Sequence, residues 1–334
     1  HDSRVTETNR VKSGTMQENK ANSTQIYAIS DGRAGNVRQA EALGGALATD
    51  FTALTLQPHP PWRWVAPRRW PGAERAFGDA FSALLDTPPA IAIGCGRQAA
   101  LATRLLSERG AQVVQILDPR LDPKRWDLIV VPEHDRLRGP NVITSLGSLH
   151  PIDDAWLAQA RSDFAEFAEL PKPIHAVLLG GGSHHAAFDR MAFEVLASKL
   201  EAALAREGGS VLLTTSRRTP KELRDALRHR YDDTPGLVWR GTKDGQNPYA
   251  GMLAWADRIV CSPDSVNMIT EACATRAPVF VFDPGRVRGR PRVFLDTLLG
   301  RGRIRAMDAR LDPFDVEPLR ETTRVASILR ERLG

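Results

Sequence analysis

The sequence predicts an α/β protein made of two doubly wound domains that face each other across a cleft. Three observations carry that prediction. Short apolar runs of strand length alternate with helix-like runs, and strands separated by helices imply right-handed crossovers and parallel sheets. The alternation pauses at Pro171-Lys172-Pro173 and then starts again, so the same grammar is written twice. The length of 334 residues is too great for one compact α/β layer and suits two domains of ordinary size.

Taken in order, Ile26–Ser30 is a short apolar strand that runs into the loop Asp31-Gly-Arg-Ala-Gly-Asn36. Val37, Ala40, Leu43, Ala46 and Leu47 then recur at helical spacing. A second strand is predicted over 51–56, followed by an irregular Pro- and Trp-rich stretch over 58–72 and a helix over 73–85. The strand 90–94 ends in Gly94-Cys95-Gly96 and leads to a helix reaching residue 109, and strands over 113–117 and 128–131 complete the half. An acidic helix and the Pro171-Lys-Pro173 punctuation place a linker over 151–173. In the second half, a strand over 176–179 empties into Gly180-Gly-Gly-Ser183, and a long helix is expected over 185–206. Strands follow over 211–215, 238–239, 258–261 and 279–282, separated by helices over 221–230, 248–256 and 265–274. A terminal region of short helices closes the chain. The domains are therefore expected over 24–150 and 174–334, behind a loose tail over 1–23 that begins with a foreign His and carries its first Met at Met16.

Composition narrows the class. Hydrophobic residues make up 42% and charged residues 25%, as in a soluble globular protein. The formal charge of +5 is too small for a nucleic-acid coat but suits anionic ligands or an anionic membrane surface. Cys95, Cys261 and Cys273 lack paired spacing, which argues against a disulfide framework or a zinc ribbon and for a reducing, cytoplasmic compartment. No run approaches the roughly 18 apolar residues of a membrane span, and no apolar leader core stands near the start.

In open α/β sheets ligands bind beyond the carboxyl ends of the strands. Both halves carry Gly-rich turns there, each followed by a helix start, where bare backbone can approach a phosphate and the helix offers free N–H groups. Neither loop has the Gly-x-Gly-x-x-Gly fingerprint or a phosphate-loop Gly-Lys-Ser/Thr. The most informative segment is 241–282. Ser262, Asp264 and Ser265 stand between a strand and a helix, where N-capping alone would account for them. Glu271 lies in a helix of small and apolar residues, where a carboxylate can accept both hydroxyls of a ribose; the alternative is a solvated helix residue.

Asp264-Ser-Val-Asn-Met-Ile-Thr-Glu271-Ala, followed by Ala277-Pro-Val, looks like the donor-nucleotide signature of GT-B glycosyltransferases. More closely, Asp31-Gly-Arg-Ala-Gly-Asn36 with Gln39, Gly180-Gly-Gly182, Thr214-Thr-Ser-Arg-Arg218, Asn247-Pro-Tyr249 and Ser262-Pro-Asp-Ser-Val-Asn-Met268 together resemble one family. It is the family of mitochondrial-fission (elongated-mitochondria) proteins, formerly a domain of unknown function, and the likeness covers nearly the whole chain after residue 24. The resemblance implies a GT-B fold, two Rossmann-like domains, and transfer from a nucleotide-diphosphate sugar. The family's plant member is described as a recruiter of a fission dynamin, so a non-catalytic adaptor is the alternative, and a nucleotide-sugar 2-epimerase is the alternative within enzymes.

Breaking a sugar–phosphate bond builds charge on the leaving diphosphate, which preorganised donors must meet. Gly181, Gly182, Ser183 and the helix start at Ser265 can supply N–H groups, and Arg217, with Arg218 behind it, a bidentate cation. Glu271 would hold the ribose, with Asn247 and Tyr249 near base or sugar; Tyr249 serves equally as a packing residue. The acceptor hydroxyl needs a base. Asp31 at a strand's carboxyl end is the first candidate, with capping of the next helix as its alternative; His59, Glu133 and His134 are reserves. Gly32, Arg33, Gly35, Asn36 and Gln39 form the acceptor-side loop. His184 and His185 read as cap or surface residues. No metal or other cofactor is expected, because Asp-x-Asp is absent and the histidines lack ligand spacing. Trp62, Arg63, Trp64, Arg68, Arg69 and Trp70, three Trp and three Arg within nine residues, fit an interfacial patch against anionic lipid or an ordinary packed loop. The interfacial reading implies a lipid-linked or cell-envelope acceptor and a peripheral position on the inner face of the cytoplasmic membrane. No nucleic-acid module accompanies these residues.

Overall fold

The computed structural model describes residues 25–334, so the loose tail expected over 1–23 lies outside the described residues. The chain divides into two compact units. The first contains β1 (Ile26–Ser30), α1 (Ala34–Leu47), β2 (Thr52–Thr55), the single turn α2 (Trp62–Val65), α3 (Asp79–Asp86), β3 (Ile91–Cys95), α4 (Arg97–Ser107), β4 (Gln112–Ile116), β5 (Leu128–Pro132) and β6 (Val142–Ser145). Its six strands form a parallel sheet in the order β2-β1-β3-β4-β5-β6. Alternation along each strand feeds two cores. On β5, Ile129 and Val131 join Phe81, Leu101 and Leu105 on one face, while Leu128 and Val130 join Leu43 and Ile116 on the other. Covering both faces is what makes parallel strands read as continuous apolar runs.

The second unit, Ile152–Arg320, contains α5 (Asp154–Asp163), β7 (Ile174–Leu179), α6 (Arg190–Glu207), β8 (Ser210–Thr215), α7 (Lys221–Ala226), β9 (Gly236–Trp239), α8 (Tyr249–Trp255), β10 (Arg258–Cys261), α9 (Val266–Cys273), β11 (Val279–Val281), α10 (Gly289–Gly300) and β12 (Ile304–Ala306). Its sheet is also parallel, in the order β12-β11-β10-β7-β8-β9. Counted from β7, that is the dinucleotide-fold order 3-2-1-4-5-6, with the reversal between β7 and β10. The two sheets are the Rossmann-like pair that the sequence predicts.

The structure departs from the sequence reading in identifiable places. The last helix, α11 (Thr322–Leu333), belongs to the first unit rather than to the domain expected over 174–334. It completes one core of that unit with Val325, Ala326 and Leu329. Thr322 Oγ1 donates to the His150 carbonyl at 2.8 Å and Glu321 Oε1 accepts from the Leu146 N–H at 2.9 Å. The stretch expected as a linker is mostly structured within the second unit, where Phe164 packs so closely on α8 that a Cβ on Gly251 would lie 2.5 Å from its ring. The helix expected over 73–85 is broken at Gly78, whose φ of +85° is left-handed backbone open to glycine. Helix α6 starts at Arg190, five residues later than expected, because Asp189 caps it through the Ala192 N–H at 2.8 Å. Edge strands β6 and β12 have no counterpart in the sequence reading.

At the amino-terminal edge of the second sheet, His175 is fully buried and its Nδ1 donates to the Ser210 carbonyl at 3.2 Å. Among the described residues neither its Nε2 nor Arg258 Nη1 has a hydrogen-bond partner. Burial, with Arg258 adding to it, pushes the imidazole below its ordinary value. Native His175 therefore refuses a proton that the unfolded chain accepts as pH falls through about 6.5. Stability is expected to be full above that pH and to fall below it, until the imidazole's own lower value is reached. In His175→Asn, which keeps a donor toward Ser210 but cannot titrate, the acid slope of the thermal midpoint should flatten.

Candidate functional site

The reversal between β7 and β10 puts two loops side by side at the carboxyl edge of the second sheet, and a buried carboxylate joins them. The Asp264 side chain is inaccessible to solvent. Its Oδ2 accepts from the Gly181 N–H at 3.1 Å and from Arg218 Nη2 at 3.0 Å, and its Oδ1 accepts from Ser262 Oγ at 2.7 Å. Ser262 Oγ in turn accepts from the Gly180 N–H at 2.7 Å, and Thr219 Oγ1 donates to the Gly180 carbonyl at 2.7 Å. The loops after β7, β8 and β10 thus share one polar knot. It explains the glycines: a Cβ on Gly180 would lie 2.0 Å from Asp264 Oδ2, and one on Gly181 would lie 1.9 Å from the Arg218 carbonyl oxygen.

This knot revises the amide set read from the sequence. The Gly181 N–H is committed to Asp264, and the Ser183 N–H donates to the Ala186 carbonyl at 2.7 Å. Of the three loop amides only that of Gly182, at φ +72°, has no partner among the described residues. The Asp264 side chain, expected with the donor-binding residues, is likewise internal and spent on Gly181, Arg218 and Ser262. Ser265 caps α9, accepting from the Met268 N–H at 3.3 Å. His184 and His185 are exposed, and the His185 carbonyl accepts from the Arg288 N–H at 2.8 Å.

Glu271 on α9 is buried, at 2% exposure, and Tyr249 Oη donates to its Oε2 at 2.5 Å. Asn247 Oδ1 accepts from the Tyr249 N–H at 3.0 Å, fixing the turn that starts α8. The structure therefore brings Asn247, Tyr249 and Glu271 together, and Glu271 is not a solvated helix residue.

Beside the knot, at the carboxyl ends of β8 and β9, opens a cavity of about 590 Å³. Six cations line it (Arg217, Lys221, Arg224, Arg228, Arg240 and Lys243) against two carboxylates, Asp225 and Asp244, with Trp239 as its aromatic wall. Lys221 and Arg228 pair with Asp225 at 2.6 and 3.5 Å, and Arg240 pairs with Asp244 at 3.2 Å. Arg224 donates to the carbonyls of Thr219 and Arg217. The Arg217 and Lys243 side chains have no partner among the described residues. Adjacent arginines have parted: Arg218 is spent on Asp264, and Arg217 faces the cavity. Apart from Arg217, the sequence reading singled out none of the charged or aromatic side chains of this lining, taking 221–230 only as a helix and 238–239 only as a strand.

In the first unit the sheet order reverses between β1 and β3, and Asp31 stands at that point, 8% exposed. Its Oδ1 accepts from the Arg33 N–H and from Asn36 Nδ2, both at 3.0 Å, and Gln57 Nε2 donates to its carbonyl at 3.1 Å. A Cβ on Gly96, at the end of β3, would lie 2.5 Å from Asn36 Nδ2. Asn36 Oδ1 also accepts from the Cys95 thiol at 3.7 Å, and burial pushes that thiol well up. Gly32, at φ +84°, and exposed Arg33 carry the chain into α1, which includes Gly35. Gln39 is buried and holds the Leu149 N–H at 3.3 Å, a structural task. His59 is exposed and makes no hydrogen bond to this group, and Glu133 and His134 follow β5.

A family profile described as mitochondrial fission ELM1 matches residues 34–333. The chain belongs to that family. The mitochondrial fission protein ELM1 of Arabidopsis thaliana is 32% identical over 74% of this chain and 64% of its own length, so the chain spans just under two thirds of that relative. An uncharacterized protein of Rickettsia prowazekii (strain Madrid E) is 24% identical over 91% of this chain and 97% of its own. Among solved structures, the UDP-GlcNAc 2-epimerase of Methanocaldococcus jannaschii is similar in fold, with a TM-score of 0.55 at 13% identity, covering 92% of this chain and 99% of that one. The chain thus has the GT-B-like fold that its motifs imply. No helix among its described residues is long and apolar enough to cross a membrane.

For this ELM1-family chain the knot is the part of the site open to a stability test. Asp264→Asn keeps the shape and removes the charge that three donors share, and should lower the unfolding free energy by about 2 kcal/mol. Gly180→Ala, forced against the same carboxylate, should cost about 1–3 kcal/mol. Urea denaturation of both variants checks the two values.

Proposed function

We propose that the protein is a metal-independent glycosyltransferase that moves a sugar from a nucleotide-diphosphate sugar to a lipid-linked or cell-envelope acceptor. The observation that carries this reading is the cavity of the second unit. Its volume of about 590 Å³ falls in the usual range for small-molecule sites. Trp239 offers a face for a nucleobase, while unpaired Arg217 and Lys243 leave the lining positive for a diphosphate. Glu271, held by Tyr249, accepts the ribose hydroxyls. In the transfer, the acceptor hydroxyl oxygen bonds to the anomeric carbon while the bond from that carbon to the β-phosphate oxygen breaks. The electron pair leaves with the nucleoside diphosphate, and the hydroxyl proton passes to a general base. The cations stabilise the charge that develops on the leaving group, the term that usually dominates such catalysis. The Trp- and Arg-rich segment of the first unit supports an acceptor carried on lipid.

A second reading, a non-catalytic adaptor on the same fold, is favoured by one observation: the Gly180, Gly181 and Ser183 amides are already satisfied internally. Ligand binding and turnover separate the two. A thermal-shift panel of UDP, GDP, ADP, CMP and dTDP should raise the melting temperature with at least one member. In calorimetry Glu271→Ala should weaken that member by about ten-fold, as loss of a charged acceptor does. Release of nucleoside diphosphate from the matching nucleotide sugar, with envelope extract as acceptor, establishes transfer. Binding without release supports the adaptor, and no binding of any member removes both the donor site and the Glu271 assignment.

A further inference from the structure

Segment 58–72 of the first unit is anchored in a way that turns two indoles outward. Ala66 and Pro67 are buried, and Arg104, itself 9% exposed, donates through Nη1 to the Pro67 carbonyl at 2.6 Å. Trp62 packs against the core, and its Nε1 donates to the Pro71 carbonyl at 3.1 Å. Arg69 is committed to Glu74 and, at 2.8 Å, to Glu108. Between these anchors Trp64 is 72% exposed and Trp70 54% exposed. They are the only exposed large hydrophobic side chains of this unit among the described residues. A loop pinned this firmly, with one Trp half-buried and hydrogen-bonded, holds the other two in water.

The charges beside them have one sign. Arg63 and Arg68 are exposed, and among the described residues neither side chain has an ion-pair or hydrogen-bond partner. The carboxylate nearest in sequence, Glu74, is neutralised by Arg69. Indoles favour the level where lipid headgroups meet acyl chains, since the ring is apolar and its N–H is polar. Arginines at that level gain from anionic headgroups, about five-fold in partitioning for each charge. Single-stranded nucleic acid also uses aromatic and cationic side chains, but as a groove of stacking platforms along a strand. Here the indoles stand on a one-turn helix and a loop outside any sheet face.

We propose that Trp64 and Trp70, with Arg63 and Arg68, form a docking surface for an anionic lipid bilayer, on which the protein sits peripherally. The inference does not need the transferase reading, because the assay contains no nucleotide or sugar. The whole chain is sedimented with phosphatidylcholine vesicles containing or lacking phosphatidylglycerol, across a salt series. Binding is expected only to the anionic vesicles and should weaken as salt rises. Trp64→Ala with Trp70→Ala should weaken it by about ten-fold, and Arg63→Glu with Arg68→Glu by at least as much. All four positions are exposed, so the far-ultraviolet circular dichroism and melting temperature should match the parent. Brominated lipid should quench the parent's tryptophan fluorescence and leave that of the Trp double variant unchanged. The proposal is overturned by equal binding to neutral vesicles, by unaltered sedimentation of both double variants, or by retention of a single-stranded oligonucleotide with no vesicle binding.

Discussion

The carboxylate of Asp264 is the constraint on which the carboxyl edge of the second sheet depends. An ionised group removed from water costs several kcal/mol unless donors replace its hydration. Here the donors are an amide from the loop after β7, a guanidinium from the loop after β8 and a hydroxyl from the loop after β10. Because each donor comes from a different crossover, satisfying one charge fixes the mutual position of three loops. Such a knot must be complete, since a half-satisfied polar network is worse than an apolar one. The glycines follow as a second consequence. Gly180 and Gly181 are required less by a ligand than by the carboxylate and the Arg218 backbone that occupy the space a Cβ would take.

The same constraint distributes the chemistry. Sheet order sets the reversal between β7 and β10, where an open α/β sheet leaves a crevice. In this chain the crevice floor is filled by Asp264, and the open volume lies further along the edge, at β8 and β9. Arg217 and Arg218 show how one residue of offset matters in a loop. The side chain of one closes the knot, and that of its neighbour stays unpaired in the cavity. Most ion pairs there are solvent-exposed and contribute little to stability. Their value is the surplus of positive charge they leave.

Much of this was legible in the sequence, for reasons that can be named. Central strands such as β5, β7, β8 and β10 are buried along their whole length, so they read as unbroken apolar runs between turn signals. The burial of Glu271 was legible because its helix carries few other polar side chains. Edge strands β6 and β12 were not, being four and three residues long and partly exposed. The return of α11 to the first unit depends on contacts between residues more than a hundred positions apart, Gln112 with Leu333 among them, and no local pattern encodes those. The cavity lining comes from three separated stretches whose cations look solvated one at a time. The internal bonding of Asp264 was not legible, because capping, ligand contact and internal bonding all favour the same residue types at the end of a strand.

The knot also bears on the proposed donor site. Filling the Gly181 amide with an internal carboxylate removes a donor that a diphosphate would otherwise use, and it places negative charge at the base of the crevice. That charge is compensated where it sits, because the Arg218 guanidinium neutralises Asp264 at 3.0 Å. The local field at this edge is therefore set by what remains: the Gly182 amide, the start of α9, and the unpaired cations Arg217 and Lys243. Neutralising the scaffold's own anion with one arginine, while leaving the adjacent arginine unpaired, keeps the edge attractive to phosphate.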